Sequence, residues 1–479
     1  MTRRRHEMIE VVRDALRMAG LGTGDRLVVG LSGGIDSQVL THLLVRLREL
    51  GDGPDLLLVH VDHRLRPASA EDARAVERIA HALAFPLEVI PVDVDAWRVT
   101  HGQGVEAAAR AARYAAFAQA ATAWSCEWVA VGHNRDDQVE TVILRLARGA
   151  GPDGLAGMRL ISERTVPLDP AGSAHLTIKL LRPLLSVRRS EIEAYAAQHR
   201  LVPVVDESNA DPRFRRNAVR HELIPTLERI VPGASASIAR NADLLADDAD
   251  LLSDLAFAAF TACSRRSEHS IWLERGAFRD QPAALQRRIV LLAVRAVASG
   301  IELNRERVDA VWKAALDGAA GRRIEIGQGV SALVDYDALL IGPNDRFEAE
   351  LRRQYQMPEL ASDTTIAIER SMTVPVGPFW VIEIEVGCDS PGWVLRTRRP
   401  GDRQRLPDGR HRRLQDWLVD RKVPVLLRDR LPLLVHDDDV RWVGGVSTPH
   451  FEDVHSRLTA RLMRKAQDAQ RDGEHASVD

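Results

Sequence analysis

The 479 residues carry 65 Lys and Arg against 68 Asp and Glu, a formal net charge of −3, with 45% hydrophobic and 28% charged residues. At roughly 100–200 residues per domain this length suggests about two to four domains. The near-neutral balance excludes a globally basic nucleic-acid binder, so any such surface is local, and no apolar run reaches the ~18 residues of a membrane span.

In MTRRRHEMIEVVRDALRMAG, the residues Met8, Val11, Val12, Leu16 and Met18 recur near helical spacing, which predicts an amphipathic helix rather than a leader peptide. Four β-like runs follow, at Arg26–Leu31, Leu56–Val61, Leu87–Val92 and Trp128–Val131. Helical stretches at Ser37–Leu50, Ala70–Ala84 and Val105–Ala123 separate them. That alternation predicts an α/β fold with a doubly wound parallel sheet and ligands at the carboxyl ends of its strands. From about 213 to 320 the pattern becomes helical, and 322–388 switches to short strands. A mixed α/β unit rich in Arg spans about 391–466, and the polar end, 467–479, reads as a disordered tail. The expected division is therefore 1–215 as an N-terminal catalytic domain, 216–388 as a helical then β-rich middle domain, and 391–466 as a small C-terminal α/β domain. The cysteines, Cys126, Cys263 and Cys388, are far apart and form no C-x-x-C, which fits a reducing, cytoplasmic setting.

The stretch VVGLSGGIDSQVLT (Val28–Thr41) carries the chemistry. No Lys follows its glycines, so it is not a Walker A loop, and glycines at 30, 33 and 34 miss the G-x-G-x-x-G spacing. What remains is S-G-G-x-D-S after a first strand. Gly33 and Gly34 permit close backbone approach, Ser32 and Ser37 supply hydroxyls, and a helix N-terminus supplies free N–H groups to phosphate. Asp36 would repel phosphate without a bridging cation, which suggests Mg²⁺. A plain turn with Asp36 or Ser37 as helix cap is the competing reading.

SGGIDS resembles the PP-loop of the N-type ATP pyrophosphatases, which split ATP into AMP and pyrophosphate while adenylating a carbonyl oxygen. Further motifs narrow the resemblance: HVDHRLR (His60–Arg66), EAAARAARY (Glu106–Tyr114), GHNRDDQVET (Gly132–Thr141), RPLL (Arg182–Leu185), DESN (Asp206–Asn209), RRNAVRHELIP (Arg215–Pro225), RRPGDR (Arg398–Arg403) and RRLQDWLVDRKVP (Arg412–Pro424). In this order they resemble the tRNA(Ile)-lysidine synthase family. The resemblance implies that ATP adenylates the wobble cytidine of a CAU-anticodon tRNA(Ile), and that free L-lysine then displaces AMP to give lysidine. It also implies a homodimer in the cytoplasm.

Beside it, the residues suggest roles. Ser32, Gly33, Gly34, Ile35, Asp36, Ser37 and His133 would bind the nucleotide. Asp36, Asp136 and Asp137 would offer carboxylates from two loops to Mg²⁺. Asp137 and Glu140 would meet the lysine amine, whose pKa near ~10.4 leaves it protonated at neutral pH until a base or desolvation acts. Arg113, a helical turn from Arg110, would face the phosphates. His60, His63 and His133 are poor candidates for a transition metal beside so many hard carboxylates.

Arg396–Arg430 holds twelve Arg or Lys against five acids. Arg399, Arg403, Arg412 and Arg413 are expected to contact tRNA phosphates there, with Trp417 among them. Arg216 and Arg220, with Arg213 and Arg215, form a second basic cluster suited to RNA or pyrophosphate. Gln415 stands where the family pattern has a basic residue. The rival readings are a tRNA thiolase, disfavoured by the missing C-x-x-C, an amidotransferase, disfavoured by the lack of a nucleophile-like Cys context, and a non-catalytic RNA binder, disfavoured by the retained acids.

Overall fold

The computed structural model describes residues 8–64, 69–102, 104–172, 174–204, 215–298, 303–387, 392–406, 408–455 and 457–465. DESN, Arg213, Arg66, Cys388 and the tail at 467–479 lie outside them. The chain divides into two compact units, Met1–Leu251 and Leu252–Asp479.

The first unit begins with α1 (Met8–Met18), β1 (Arg26–Gly30), α2 (Ile35–Glu49), β2 (Asp55–Asp62), α3 (Ser69–Leu83) and β3 (Leu87–Pro91). α4 (Val94–His101), α5 (Val105–Ala123), β4 (Trp128–Ala130), α6 (Arg135–Ala147) and α7 (Pro152–Leu155) follow. β5 (Ile161–Pro167), β6 (His175–Leu181) and α8 (Arg189–Gln198) complete the α/β layers, and α9 (Arg215–Ala218), α10 (Ile224–Ile230) and α11 (Ala234–Cys263) come after. The sheet order is β3-β2-β1-β4-β6-β5. Its strands are parallel except β5, which pairs antiparallel with β6.

Two apolar layers account for the burial of both sheet faces. α1, α2, α3 and α8 bring Val12, Leu16, Leu40, Leu44, Val76 and Ile192 against one face. The Ala-rich α5 lays Tyr114, Phe117 and Ala121 on the other, where Val28, Val59, Val129 and Leu180 point. Strands buried on both faces read as continuous apolar runs, as RLVVG and DLLLVHVD do. Small side chains on α5 let it lie close: a Cβ at Gly30 would meet the Phe117 ring at 2.7 Å.

The second unit contains a five-stranded sheet built from Ser264–Arg266, Ile271–Glu274, Ala338–Pro343, Val330–Val334 and Arg323–Gly327, in that spatial order. It packs on helices Ala283–Val297 and Arg305–Asp317. Beyond it lie a six-stranded and a four-stranded sheet. Thr365–Ala367 pairs with Trp393–Arg396, and Trp380–Val386 pairs with Leu458–Arg464. A cut at 388/391 therefore passes through two sheets, because strands on either side of it share backbone hydrogen bonds. Residues 216–251, expected in the middle domain, group with the first unit.

Candidate active site

β1 ends in the SGGIDS turn. Gly33 takes a left-handed φ of 85°, and its carbonyl accepts from the Gln38 side chain at 2.7 Å and the Val204 N–H at 3.0 Å. The Ser37 hydroxyl donates to the Gly34 carbonyl at 2.8 Å and accepts from the Ser32 N–H at 3.2 Å. These bonds fix the turn without using the first N–H groups of α2. Its N-cap, Gly34, makes no side-chain cap, so those donors face outward. Ile35 packs its side chain on the core, which leaves only its backbone for a ligand. His60, at the end of β2, bonds the Leu31 carbonyl through Nδ1 at 2.9 Å and ties the neighbouring strand to the same turn.

The GHNRDDQVET segment leaves β4 directly beside this turn. A Cβ on Gly132 would lie 3.0 Å from the backbone of Asp36 and Ser37, so a larger residue would press the two segments apart by a few tenths of an ångström. Asn134 then caps α6: its Oδ1 accepts from the Asp137 N–H, and Asp137 Oδ2 accepts from the Asn134 N–H, both at 3.0 Å. The remaining Asn134 amide donates to Asp36 Oδ1 at 2.9 Å. One asparagine thus orients a helix and joins the two motifs.

Asp137 and Glu140 share a pair of guanidinium groups. Arg216 gives Nε to Glu140 Oε2 at 2.6 Å and Nη2 to Asp137 Oδ1 at 2.9 Å. Arg220 gives Nε to Glu140 Oε1 at 2.5 Å and Nη2 to the same Asp137 oxygen at 3.1 Å. The Glu140 side chain is 1% exposed and each arginine 27%. Arg216 and Arg220, four residues apart, share a helix face, and Val219–Leu223 forms a π-helical turn there between α9 and α10, a distortion frequent at functional sites.

Several of the expected site residues bond within the chain. Arg216 and Arg220, expected on tRNA, are turned onto the carboxylates. Asp136, expected on the metal, instead accepts the Arg189 N–H at the start of α8 at 2.9 Å. Successive helix positions point about 100° apart, so Asp136 turns toward the start of α8 while Asp137 turns toward Arg216 and Arg220. Among the described residues no three His, Cys, Asp or Glu side chains are grouped to hold a metal. Asp36 and Asp137 remain the close pair: burial first, and the charge of Asp137 with it, push the Asp36 carboxyl above its ordinary range, against the opposing pull of Arg189 and Asn134.

Arg189 was missed. Its guanidinium lies 3.4 Å from Asp36 Oδ2. A basic residue in the first turn of a helix opposes the macrodipole, and SVRRSEI carries that signal. His133 is held well below its usual range by burial and by Arg182, Arg110, Arg216 and Arg113, so it is neutral at pH 7, with its Nδ1 buried and without a partner among the described residues. His63 is pushed down to about 4 by burial, with Arg113 and His60 adding to it. Arg113 stands half-buried beside it, its own pKa lowered by burial and by Arg110.

In the second unit, Arg403 and Arg413 are exposed and face each other across an antiparallel pair. Arg399 bonds Thr365 at 3.0 Å, and Arg412 pairs with Asp420 at 2.5 Å. Gln415 accepts from Arg398 at 2.6 Å. Trp417 is buried beneath the Arg421 guanidinium, 3.7 Å from the ring centroid, so it offers no stacking face to RNA.

Residues 7–227 match the PP-loop domain family, and residues 394–458 match the TilS substrate C-terminal domain. The tRNA(Ile)-lysidine synthase of Geobacter sulfurreducens is 36% identical over 451 residues, covering 88% of this chain and 89% of its own. That of Symbiobacterium thermophilum is 36% identical over 475 residues, with 92% and 93% covered. That of Geobacillus kaustophilus is 30% identical over 463 residues, with 93% and 96% covered.

Proposed function

This chain belongs to the tRNA(Ile)-lysidine synthase family, and from that premise we propose how its own residues carry the reaction. The activity is an ATP-dependent C–N ligation: the wobble cytidine of a CAU-anticodon tRNA(Ile) is adenylated with release of pyrophosphate, and the amine of free lysine then displaces AMP. The observation that supports this reading most is the Asn134–Asp36 bond, because it brings the phosphate turn and the acidic helix to one point at the carboxyl ends of β1 and β4.

In this reading the outward N–H groups at the start of α2, with Ser32 and Ser37, hold the polyphosphate. Asp36, a desolvated carboxylate next to Asp137, fits a hard oxygen-seeking cation whose other ligands come from phosphate and water. Mg²⁺ held there would offset phosphate charge. Neutral His133 stands beside the nucleotide, its buried Nδ1 still lacking a partner among the described residues, and Arg113 adds positive charge beside it.

Asp137 and Glu140 face the lysine amine. Their charges are matched by Arg216 and Arg220, so an incoming ammonium exchanges with a guanidinium instead of entering an empty acidic pocket. The freed guanidinium then turns to phosphate. Carboxylate contact and exclusion of water assist loss of the amine proton, which nucleophilic attack requires. Arg399, Arg403, Arg412 and Arg413 hold the tRNA backbone. A homodimer is the assembly proposed in solution.

The test is pyrophosphate release by the full chain with ATP, Mg²⁺, lysine and the CAU-anticodon tRNA. Multiple-turnover release, and any release of AMP from the tRNA, requires all four, because without lysine the reaction stops at one equivalent of pyrophosphate and adenylated tRNA. Multiple turnover that ignores lysine contradicts the reading, and release coupled to sulfur transfer points to thiolation.

A further inference from the structure

Beyond the carboxylate network, a group of arginines gathers around Tyr114, with no acid bonded to them among the described residues. On α5, Arg110 donates Nη2 to the Tyr114 hydroxyl at 3.3 Å, and its guanidinium lies 5.2 Å from the ring centroid. Arg164 on β5 lies 4.1 Å from the same ring. Arg182, just past β6 and only 5% exposed, gives Nη1 to the Arg159 carbonyl at 2.8 Å and the Ser162 hydroxyl at 2.9 Å. Buried Nε atoms of both Arg164 and Arg182 find no partner among the described residues. Arg145 reaches the Gly154 and Gly157 carbonyls nearby. Burial first, and the charge of Arg110 with it, lower the pKa of Arg145, Arg164 and Arg182.

Like charges gathered in a half-buried place, with donors left over, are costly unless an anion joins them. Carbonyls and a neutral phenol orient guanidinium groups but do not offset their charge. We propose that the Arg110–Arg164–Arg182 cluster around Tyr114 seats a backbone phosphodiester of the RNA substrate beside the reacting nucleotide. The proposal rests on the functional reading above.

Strand order favours RNA over the nucleotide's polyphosphate. Neighbouring strands lie about 4.8 Å apart. Arg182 follows β6, two strands from β1, and Arg164 sits on β5, three strands away, or about 10 and 14 Å. Arg164, on the strand farthest from β1 on that side, is the member least within reach of a polyphosphate anchored at the start of α2, whereas a continuous RNA backbone can extend to it. Forked guanidinium groups also suit the paired oxygens of a phosphodiester.

The experiment measures binding of the full chain to a CAU-anticodon tRNA(Ile) transcript across a salt series, for the native chain, Arg164→Gln and Arg164→Lys, with thermal melts and the ATP KM alongside. Arg164→Gln is expected to weaken binding about tenfold and to make the log–log salt slope shallower by about 0.7, one single-strand phosphate contact, with the ATP KM unchanged. Arg164→Lys keeps the native slope and loses part of the affinity, and it carries the test if the glutamine variant does not fold. Native slope and affinity in a folded glutamine variant overturn the proposal, as does full native affinity in the lysine variant. Weakened product inhibition by inorganic pyrophosphate with tRNA binding intact also overturns it, by assigning the cluster to the nucleotide. A native chain that binds tRNA with this arginine-dependent slope but shows no lysine-dependent turnover sinks the functional reading and leaves the phosphate seat standing.

Discussion

Arginine is used in opposite ways in the two units. In the first, Arg216 and Arg220 converge on Asp137 and a buried Glu140, each with two charge-assisted bonds. In the second, Arg403 and Arg413 are exposed and sit opposite one another across a strand pair. Like charges facing each other across strands destabilise a sheet. The first arrangement is complete within the chain, while the second becomes favourable when an outside anion arrives. Under the proposed function, the contrast separates residues that set up chemistry from residues that recognise a polyanion.

The largest expected effect tests the complete side. Glu140→Gln leaves two half-buried guanidinium groups facing one carboxylate and removes an acid from the amine. Lysine-dependent turnover should fall about 10²–10⁴-fold, with lysine affinity weakened, in steady-state assays. Unchanged lysine affinity and turnover exclude this role for Glu140.

The second unit also contains one completed pair, which sharpens the comparison. Arg396 and Asp402 are buried and joined by two bonds of 2.9 and 2.7 Å, and Asp402 also accepts the Arg399 N–H at 2.8 Å. Asp402→Asn should cost about 3–5 kcal/mol in stability, read by denaturant unfolding. This aspartate holds the RRPGDR turn in shape, so a small loss there would weaken the claim that the turn is preset for its partner.

Removing the exposed charges should matter for binding alone. Arg403→Gln with Arg413→Gln is expected to make the tRNA salt slope shallower by about 1.4, two single-strand contacts, and to leave the unfolding midpoint unchanged or slightly raised. A slope equal to the native one would break the proposed division of labour.

The smallest effect is a pH dependence. His63 is folded in its neutral form, with its pKa lowered from the usual ~6.5 to about 4. The unfolded chain binds that proton first as pH falls. The stabilising contribution is therefore present above about pH 6.5 and is lost as pH falls toward about 4. His63→Gln should flatten this part of the stability profile of the first unit.

Much of this was legible in the sequence because local pattern and local structure agree. The expected strand at Arg26–Leu31 and helix at Ser37–Leu50 fall within a residue or two of β1 and α2, since glycine and apolar spacing decide both. The β5–β6 hairpin was not read, because β5 is a polar edge strand that gains its order from pairing with β6. Nor did the sequence reveal that Thr365–Ala367 and Trp380–Val386 pair with strands well downstream, a matter of long-range contact. Within the site, the acids were found and their partners were not. Divergence of Asp136 from Asp137 follows from helix geometry alone, but the capture of Asp137 and Glu140 by Arg216 and Arg220 needs the chain to return from some 80 residues away.

Intact-mass analysis of the CAU-anticodon tRNA after incubation with the full chain, ATP, Mg²⁺ and lysine tests the central claim most directly. The account predicts one lysyl addition at the wobble cytidine, made by the native chain and lost in Asp36→Asn. A tRNA whose mass stays unchanged while ATP is consumed, or whose lysyl addition survives without the Asp36 carboxylate, would contradict it.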